Sequence, residues 1–467
     1  MRHWLIFLGL ILANFQAAAE LPPVVASELA NAGIPEASVA VYVRAVADDS
    51  AILSHNADKS MNPASVMKLV TTNAALNLLG PTFRWKTEVY KNGNVLNSTL
   101  RGDLIIKGYG DPSFNAQDFW RLLITLQQAG IKKITGDLII DKDYFDKEEG
   151  SQGAFDSEVW RAYNAPPSAF LVNGRNTSFR FKVTDSAVQV NQEFELAEIK
   201  IINHMKLVES GCAAWRDNMT YQIKVAENGV VVTFGGTFSP SCGEKYLELS
   251  LFDDEKYAFF TFKKLWRELG GGFSGRLKIG ETPDAAVKVL EQTSAPLGYV
   301  VHDINKWSNN LMARQLLLTI GAEQIGAPAT ESKGEAAIKD WLFNKGLRFN
   351  ELVVDNGSGL SHTARITAEH MGQMLVGAYH APAMPEFMAS MPILARDGTV
   401  MGRLKNSQSN GRAHLKTGSL NGVSAIAGYV LDANGHRHAL VMLVNHAKAG
   451  ASKAAQDALI EWVHQLP

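Results

Sequence analysis

The sequence predicts an α+β fold, an α/β sandwich, with strand and helix patterns at both ends of the chain and a strand-rich stretch between them. Near the start, a strand pattern over 37–44 precedes a helix pattern over 63–79. Near the end, strand patterns over 422–431 and 437–445 precede an amphipathic helix pattern over 454–465. Between these two ends the patterns are mostly those of strands.

The clearest helix signal of the chain lies at 63–79. Pro63 favours a first helical turn, apolar residues recur at helical spacing, and Gly80-Pro81 ends the pattern. Before this helix, residues 20–45 indicate a helix and then a strand, which are separated at Pro35.

Strand patterns dominate the middle of the chain. Phe83–Tyr90 and Leu100–Lys107 flank a hairpin turn that we predict at Asn92-Gly93. The pentapeptide Gly-Asp-Leu-Ile-Ile occurs at 102–106 and again at 136–140, which indicates either paired strands or a chance repeat. The other predicted segments are a helix over 118–130, strands over 178–252, a turn or hinge at 270–272, and helices over 297–306, 311–320, 335–344 and 368–380.

The composition is that of a globular protein. Of the 467 residues, 46% are hydrophobic and 20% are charged, which excludes a wholly disordered or fibrous chain, and the length predicts two or three domains. The net charge of −2 offers no basic excess to neutralise phosphates, so we expect no nucleic-acid partner. His and Cys do not cluster at metal-ligand spacing, so we expect no metal and no cofactor, and we predict structural roles for His362 and His414.

The N-terminus has the features of a secretory signal peptide over residues 1–19. Arg2 and His3 precede an apolar run over 4–15, and Ala17-Ala18-Ala19 offers a cleavage site. A buried N-terminal helix is the alternative, but the run is short and ends in small residues. We expect a periplasmic protein with at most peripheral membrane contact, since no later apolar stretch is long enough to span a bilayer.

Cys212 and Cys242 are the two cysteines of the chain. An even cysteine count in an exported protein favours a disulfide over metal binding, whereas two free buried thiols are the alternative. A disulfide here would close a loop of about 30 residues and stabilise the fold by roughly 3 kcal/mol.

Ser65-Val66-Met67-Lys68 lies at the start of the clearest helix and is the only S-x-x-K in the chain. Spacing i, i+3 places both side chains on one helical face, where an amine can reach the hydroxyl. A serine hydroxyl needs such a base to become a nucleophile, and burial or a second cation can keep the Lys68 amine neutral. The alternative is a solvated helix face.

Two further motifs follow in the chain. Lys416-Thr417-Gly418 is the only K-T-G in the chain and lies on a strand-like run. Its cation and its hydroxyl together suit a carboxylate ligand. A plain strand-to-turn junction is the alternative. Ser308-Asn309-Asn310 lies between two predicted helices, so its hydroxyl and amide can point into a cleft. S-x-N also occurs elsewhere, for example at 54–56, and a helix N-cap serine is the alternative role for Ser308.

The order S-x-x-K, S-x-N, K-T-G, in helix, loop and strand context, is that of β-lactamases and penicillin-binding proteins. With these motifs the sequence resembles the D-Ala-D-Ala carboxypeptidase/endopeptidase family of low-molecular-mass class C penicillin-binding proteins. Three further stretches look like that family, and the similarity runs from about residue 25 to the C-terminus. These stretches are Gly108–Pro112, Asn164–Ser168 and Asp355–Leu360.

The resemblance implies a penicillin-recognising core, like that of serine β-lactamases and transpeptidases, with a five-stranded antiparallel sheet and helices on both faces. The long gap between Lys68 and Ser308 fits the extra domains that this family inserts there. The expected division is 1–19 for the signal peptide, 20–82 and 286–467 for the catalytic domain, and 83–285 for the β-rich inserted region with a nested subdomain at roughly 179–250.

The resemblance also implies the activity of a serine-type D-Ala-D-Ala carboxypeptidase and DD-endopeptidase acting on peptidoglycan. Ser65 is then the nucleophile that attacks the penultimate D-Ala, Lys68 accepts its proton, and Ser308 helps to protonate the leaving amine. β-Lactams are expected to acylate Ser65. The implied substrate-binding residues are Asn310, Lys416, Thr417, Gly418 and Ser419. Backbone N–H groups of Ser65 and Ser419 are expected to form the oxyanion hole.

Three alternatives compete with this interpretation. An exported serine β-lactamase or esterase shares the motifs but has no need of a long insertion, and its acyl-enzyme would hydrolyse quickly. A catalytically silent wall-binding protein is disfavoured by the complete motif set. A dinucleotide-binding enzyme, suggested by Gly357 and Gly359, lacks a G-x-G-x-x-G after a strand.

Overall fold

A computed structural model of the protein describes residues 20–146, 155–184, 186–226 and 228–467, so the predicted signal peptide lies outside the described residues. The helices are α1 Pro23–Asn31, α2 Met67–Leu78, α3 Ala116–Gln128, α4 Asp254–Glu268, α5 Leu297–Lys306, α6 Asn310–Gln324, α7 Glu331–Asn344, α8 Ala368–Tyr379, α9 Met384–Ser390 and α10 Lys453–His464. The first strands are β1 Val39–Ala45, β2 Leu53–His55, β3 Lys86–Leu96, β4 Thr99–Gly108, β5 Lys133–Ile134, β6 Leu138–Asp141, β7 Thr177–Val183, β8 Val188–Gln192 and β9 Ile199–Asn203. The later strands are β10 Lys206–Leu207, β11 Met219–Ala226, β12 Gly229–Phe238, β13 Lys245–Leu249, β14 Gly272–Phe273, β15 Leu277–Ile279, β16 Val287–Thr293, β17 Ala413–Leu420, β18 Val423–Leu431 and β19 Arg437–Asn445. In the part of the chain that the structure describes, no helix has both the length and the hydropathy that a bilayer crossing needs.

The two ends of the chain meet in one antiparallel sheet, which belongs to what we call the main domain. Its five strands run in the order β17-β18-β19-β1-β2, and this confirms the predicted five-stranded antiparallel sheet. Successive residues of β1 face opposite layers, as strand geometry requires. Val41 packs with α1 and α10, whereas Tyr42 packs with α8 on the other face. The sheet is therefore covered by helices on both faces.

Helix α2 is the central helix of the main domain. Its residues from Met67 to Leu76 are buried, because α5, α6, α7 and α8 contact it from several sides. A short helical turn over Ala64–Val66 leads into it, within the predicted helix at 63–79. A position at the start of α2 is therefore enclosed by the main domain.

The inserted region lies between α2 and α5 and has its own sheets and its own hydrophobic cluster. Strands β14, β5, β4, β3 and β16 form its largest sheet, to which β6 and β15 also belong. The two copies of the repeated pentapeptide are paired strands, since Ile105 of β4 lies opposite Ile139 of β6 in parallel register. The repeat thus reflects strand pairing.

The hairpin turn of the inserted region differs from the one predicted at Asn92-Gly93. Strands β3 and β4 continue past that point, with Gly93 opposite Gly102, and the chain turns at Asn97-Ser98. Both turn residues have positive φ, 47° and 58°, as a two-residue hairpin loop of type I′ requires. The prediction was wrong because an Asn-Gly pair was taken as the stronger turn signal.

The predicted domain division stays a prediction, but its second boundary disagrees with the strand pairing. Strand β16 pairs with β3, so 287–293 belongs to the sheet of the inserted region and not to the main domain. A register shift between Lys288 and Leu290 interrupts the strand alternation, so the sequence pattern of β16 is short.

A smaller set of strands is nested in the inserted region. Strand β7 pairs with both β8 and β13, so the first and last strands of 177–249 are neighbours in one sheet. Strands β9–β12 lie between β8 and β13 in the chain and form a separate sheet. Cys212 and Cys242 form a disulfide in this part of the chain, which confirms the predicted pairing and excludes two free thiols.

Candidate active site

The Ser65 hydroxyl lies at the N-terminal end of α2, on a strained turn. Ala64 has φ 46°, in the left-handed region that non-glycine residues rarely adopt. The Asn62 side chain holds this turn, since its Oδ1 accepts from the Ala64 N–H at 2.8 Å and its Nδ2 donates to the Ser361 carbonyl at 2.8 Å. Gly359 also approaches, and a Cβ there would overlap the Ala64 carbonyl oxygen. The turn therefore fixes Ser65 from two sides.

Lys68 is fully buried beside Ser65, so the S-x-x-K pair is not a solvated helix face. Its Nζ lies 2.9 Å from Ser65 Oγ, 2.6 Å from Asn310 Oδ1 and 2.6 Å from the Ser358 carbonyl oxygen. The i, i+3 spacing on a helix thus brings the amine to the hydroxyl, as we predicted from the sequence.

The loop over 355–360 supplies a contact that our sequence analysis did not assign. Asn356 Oδ1 accepts from the Ser358 N–H at 3.0 Å and from its hydroxyl at 2.7 Å, and the Ser358 carbonyl faces Lys68. Gly357 packs against α2, where its carbonyl accepts from the Thr71 hydroxyl at 2.7 Å. The glycines of this loop are thus explained by close approach to the nucleophile turn and its helix.

Lys416 of strand β17 is the second fully buried lysine of the site. Its Nζ donates to Ser308 Oγ at 2.8 Å and to the Thr417 carbonyl at 2.7 Å. Two positions further along, Gly418 lies against the nucleophile turn, because a Cβ there would be 2.6 Å from the Pro63 carbonyl oxygen and 2.9 Å from the Ser65 nitrogen. Only glycine lets β17 pass this close to Ser65.

Ser308 lies in the loop between α5 and α6 and is not the helix N-cap. That role belongs to Asn309, whose side chain accepts from the Met312 N–H at 3.1 Å. Ser308 itself has φ 58°, and the strained backbone directs its hydroxyl to Lys416. Ser308 is therefore part of the cleft.

Asn310 begins α6 and faces the nucleophile. Its Oδ1 accepts from Lys68, and within the described ranges its Nδ2 has no protein partner. The amide thus has a free donor beside Ser65.

Thr417 and Ser419 lie on β17 at the mouth of the site. The Thr417 hydroxyl donates to Thr399 Oγ1 at 2.9 Å, a second contact that the sequence did not indicate, and Ser419 is exposed. Ser419 follows Gly418, so its backbone lies next to that of Ser65. The structure thus brings the three motifs into one cleft.

The electrostatics of the cleft disfavour two positive charges. Burial lowers the pKa of Lys68 well below its ordinary value, and the nearby Lys416 charge lowers it further. Burial alone lowers the pKa of Lys416 to about 7. A neutral Lys68 amine next to a hydroxyl is a general base for a serine nucleophile, which is the chemistry of acyl transfer.

Comparison with known proteins agrees with this geometry. The sequence profile of the family described as D-Ala-D-Ala carboxypeptidase 3 (S13) matches residues 23–466. The chain is 27% identical over 450 residues to D-alanyl-D-alanine carboxypeptidase DacB of Haemophilus influenzae, which covers 93% of this chain and 91% of that protein. It is 29% identical over 448 residues to a D-alanyl-D-alanine carboxypeptidase of an Actinomadura species, covering 91% of this chain and 82% of that one.

Solved structures show the same fold. The crystal structure of penicillin binding protein 4 (dacB) from Haemophilus influenzae superposes with a TM-score of 0.78 at 25% identity, covering 95% of this chain and 99% of that one. A second crystal structure of that protein, in complex with a β-lactam, gives a TM-score of 0.74 at 24% identity, over 94% and 99% of the two chains.

Proposed function

Because this chain belongs to the D-Ala-D-Ala carboxypeptidase 3 (S13) family, we propose that it hydrolyses the terminal D-Ala-D-Ala bond of peptidoglycan stem peptides, with Ser65 as nucleophile. The observation that carries this proposal is the 2.9 Å contact between Lys68 Nζ and Ser65 Oγ inside a buried site. A base this close to a serine hydroxyl has the geometry of nucleophilic catalysis.

Acylation begins with the Lys68 amine in its neutral form. Two N–H groups of that amine donate to Asn310 Oδ1 and to the Ser358 carbonyl, which leaves its lone pair for the Ser65 proton. The Ser65 oxygen then attacks the carbonyl carbon of the penultimate D-Ala, and a tetrahedral oxyanion forms. We expect backbone N–H groups of Ser65 and Ser419 to stabilise that oxyanion.

Collapse of the oxyanion breaks the peptide bond and releases the terminal D-Ala. Its amine takes the proton that Lys68 removed from Ser65, and Ser308, hydrogen-bonded to Lys416, passes it on. Water then attacks the ester carbonyl and restores the Ser65 hydroxyl. The net reaction consumes one water molecule and yields free D-Ala and the shortened peptide.

Lys416 and Thr417 bind the terminal carboxylate of the substrate. An arriving carboxylate favours the charged form of Lys416, so it raises a pKa that burial alone holds near 7. Asn310 Nδ2 is free to donate to a backbone carbonyl of the substrate. β-Lactams carry both a carboxylate and an amide carbonyl, and they acylate the same serine.

The site of action that we propose is the periplasm, on the basis of the N-terminal signal pattern over 1–19. Where the acceptor amine of a stem-peptide cross-link is on a carbon that bears a carboxylate, the cross-link presents the same groups as the D-Ala-D-Ala end. The same machinery therefore suits cross-link cleavage, which is the endopeptidase activity.

The test is release of D-Ala from a peptide that ends in D-Ala-D-Ala, compared with release of D-alaninamide from the same peptide whose terminal carboxylate is amidated. We expect rapid release from the acid and at least tenfold slower release from the amide, because Lys416 loses its partner. Equal rates would exclude the role of Lys416, and no release from either peptide would exclude the carboxypeptidase. A serine β-lactamase would instead hydrolyse its penicilloyl ester within seconds.

A further inference from the structure

Helix α6 is shared between the main domain and the inserted region. One side of it, with Met312, Leu316 and Ile320, packs into the hydrophobic cluster around α2. The residues that contact the inserted region recur at spacings of three and four, so they form one stripe along the opposite side. They are Leu311, Arg314, Gln315, Leu318 and Ala322.

Apolar contacts bind both ends of this stripe to the inserted region. Leu311, next to Asn310, clusters with Ala165 and Leu171. Near the other end of α6, Leu318 and Ala322 cluster with Phe145 and Ala169 of the inserted region. The helix is therefore held along its length and not at one point.

Gln315 lies at the centre of the stripe and is fully buried. Its Oε1 accepts from the Ser168 N–H at 2.9 Å, and its Nε2 donates to the Gly110 carbonyl at 3.4 Å. The segment that contains Gly110 and the segment that contains Ser168 also bind each other, since the Gly110 N–H donates to the Ala169 carbonyl at 2.7 Å. One side chain of the main domain thus joins two segments of the inserted region.

The same helix carries a residue of the cleft. Asn310 begins α6, and Gln315 lies five positions further on, which is about 7.5 Å along the helix axis. A helix moves as a rigid unit over one or two turns, so a shift at Gln315 reaches Asn310. The hydrogen bond from Lys68 Nζ to Asn310 Oδ1, at 2.6 Å, therefore depends on where the first turn of α6 is held.

We infer that Gln315 is a positioning residue, through which the inserted region sets the place of Asn310 and so of the Lys68 amine beside Ser65. The inserted region then holds α6 in position, in addition to any contact it makes with substrate. This inference rests on the proposed function, because the amine matters only if Ser65 is acylated.

The test is a double-mutant cycle that follows acylation of the full chain by a fluorescent penicillin. Gln315→Met keeps the size of the side chain but removes both hydrogen bonds. We expect it to slow acylation about tenfold in the parent protein and less than twofold when Asn310→Ala is already present, since coupled residues are not additive. The matched control is Gln324→Met at the exposed end of α6, which should leave the rate unchanged.

An unchanged rate in Gln315→Met, or the same tenfold loss in both backgrounds, would overturn the inference, because the second result marks general destabilisation. A parent protein that is not acylated at all would instead refute the proposed function. If Gln315→Met does not fold by circular dichroism, Leu318→Ala takes its place in the cycle. Leu318 lies on the same stripe of α6 and clusters with Phe145 and Ala169 of the inserted region, so a non-additive loss is again expected and an additive one contradicts the inference.

Discussion

Lys68 and Lys416 are both fully buried, and neither has a carboxylate partner among the described residues. A buried lysine ordinarily forms an ion pair, as Lys306 does with Asp397 at 2.6 Å. The two unpaired lysines of the cleft instead have lowered pKa values, because burial disfavours their charge and Lys416 repels a proton on Lys68. Burial first, and the Lys416 charge second, favour a neutral Lys68 amine, while Lys416 is left without a counter-ion among the described residues.

A pH profile of Lys416→Met tests this relation. Removing the Lys416 charge raises the pKa of Lys68, so the amine becomes neutral only at higher pH. We expect the acid limb of the acylation rate to move upward by about one pH unit with an ester that has no free carboxylate. The control is Lys405→Met, at an exposed lysine, which should leave the pH of the acid limb unchanged. A shift of the acid limb to lower pH in Lys416→Met would refute the account.

Gly418 offers a steric test of the same cleft. In Gly418→Val the new side chain meets Pro63 and Ser65, so it displaces the nucleophile turn, and we expect acylation to fall by at least a hundredfold. Gly377→Ala is the control, because nothing lies within 4 Å of a Cβ there. It should raise the free energy of unfolding by up to ~1 kcal/mol in helix α8 and keep full acylation. Rapid penicillin labelling of Gly418→Val would contradict the placement of β17.

Among the elements, those with a regular pattern were predictable and those defined by backbone conformation were not. Helix α5 has the predicted range, since its apolar residues recur at helical spacing and Pro296 precedes it. Helix α4 was not predicted although its signals are present, with Asp253 as N-cap and two acidic residues in the first turn. The β3–β4 turn was misplaced because Asn97-Ser98 carries no glycine.

The turn at Asn97-Ser98 can be tested by two substitutions. Ser98→Gly removes the cost of a positive φ and should raise the free energy of unfolding by about 0.5–1 kcal/mol. Gly93→Ala should destabilise the protein, because its Cβ would overlap the Arg101 carbonyl oxygen inside the paired strands. Thermal unfolding measures both, and a destabilising Ser98→Gly would contradict the turn at Asn97-Ser98.

In the whole molecule, the cleft depends on contacts that a sequence does not display. The three motifs could be predicted because their residue types carry the chemistry. The Ser358 carbonyl lies 290 positions from Lys68 and is a backbone group, which has no signature in residue type. The same holds for the contact of Gly110 and Ser168 with Gln315, although both segments were noted for their family resemblance.

The disulfide tests how far the nested strands are independent of the cleft. Replacing Cys212 and Cys242 by serine opens a loop of 30 residues and should lower the free energy of unfolding by roughly 3 kcal/mol. Acylation of Ser65 should stay at the parent rate, because both cysteines belong to the hydrophobic cluster of the inserted region and not to that of α2. Calorimetry and penicillin labelling measure the two effects, and loss of labelling in a folded double variant would contradict this separation.

The central claim is that Ser65 is the acylated nucleophile, and intact-mass spectrometry after incubation with benzylpenicillin tests it most directly. The parent protein should gain the mass of one whole penicillin molecule, because opening of the β-lactam ring expels no fragment. Ser65→Ala should gain nothing while keeping the same circular dichroism spectrum. A Ser65→Ala protein that still gains this mass, or a parent protein that carries it on a peptide without Ser65, would contradict the account.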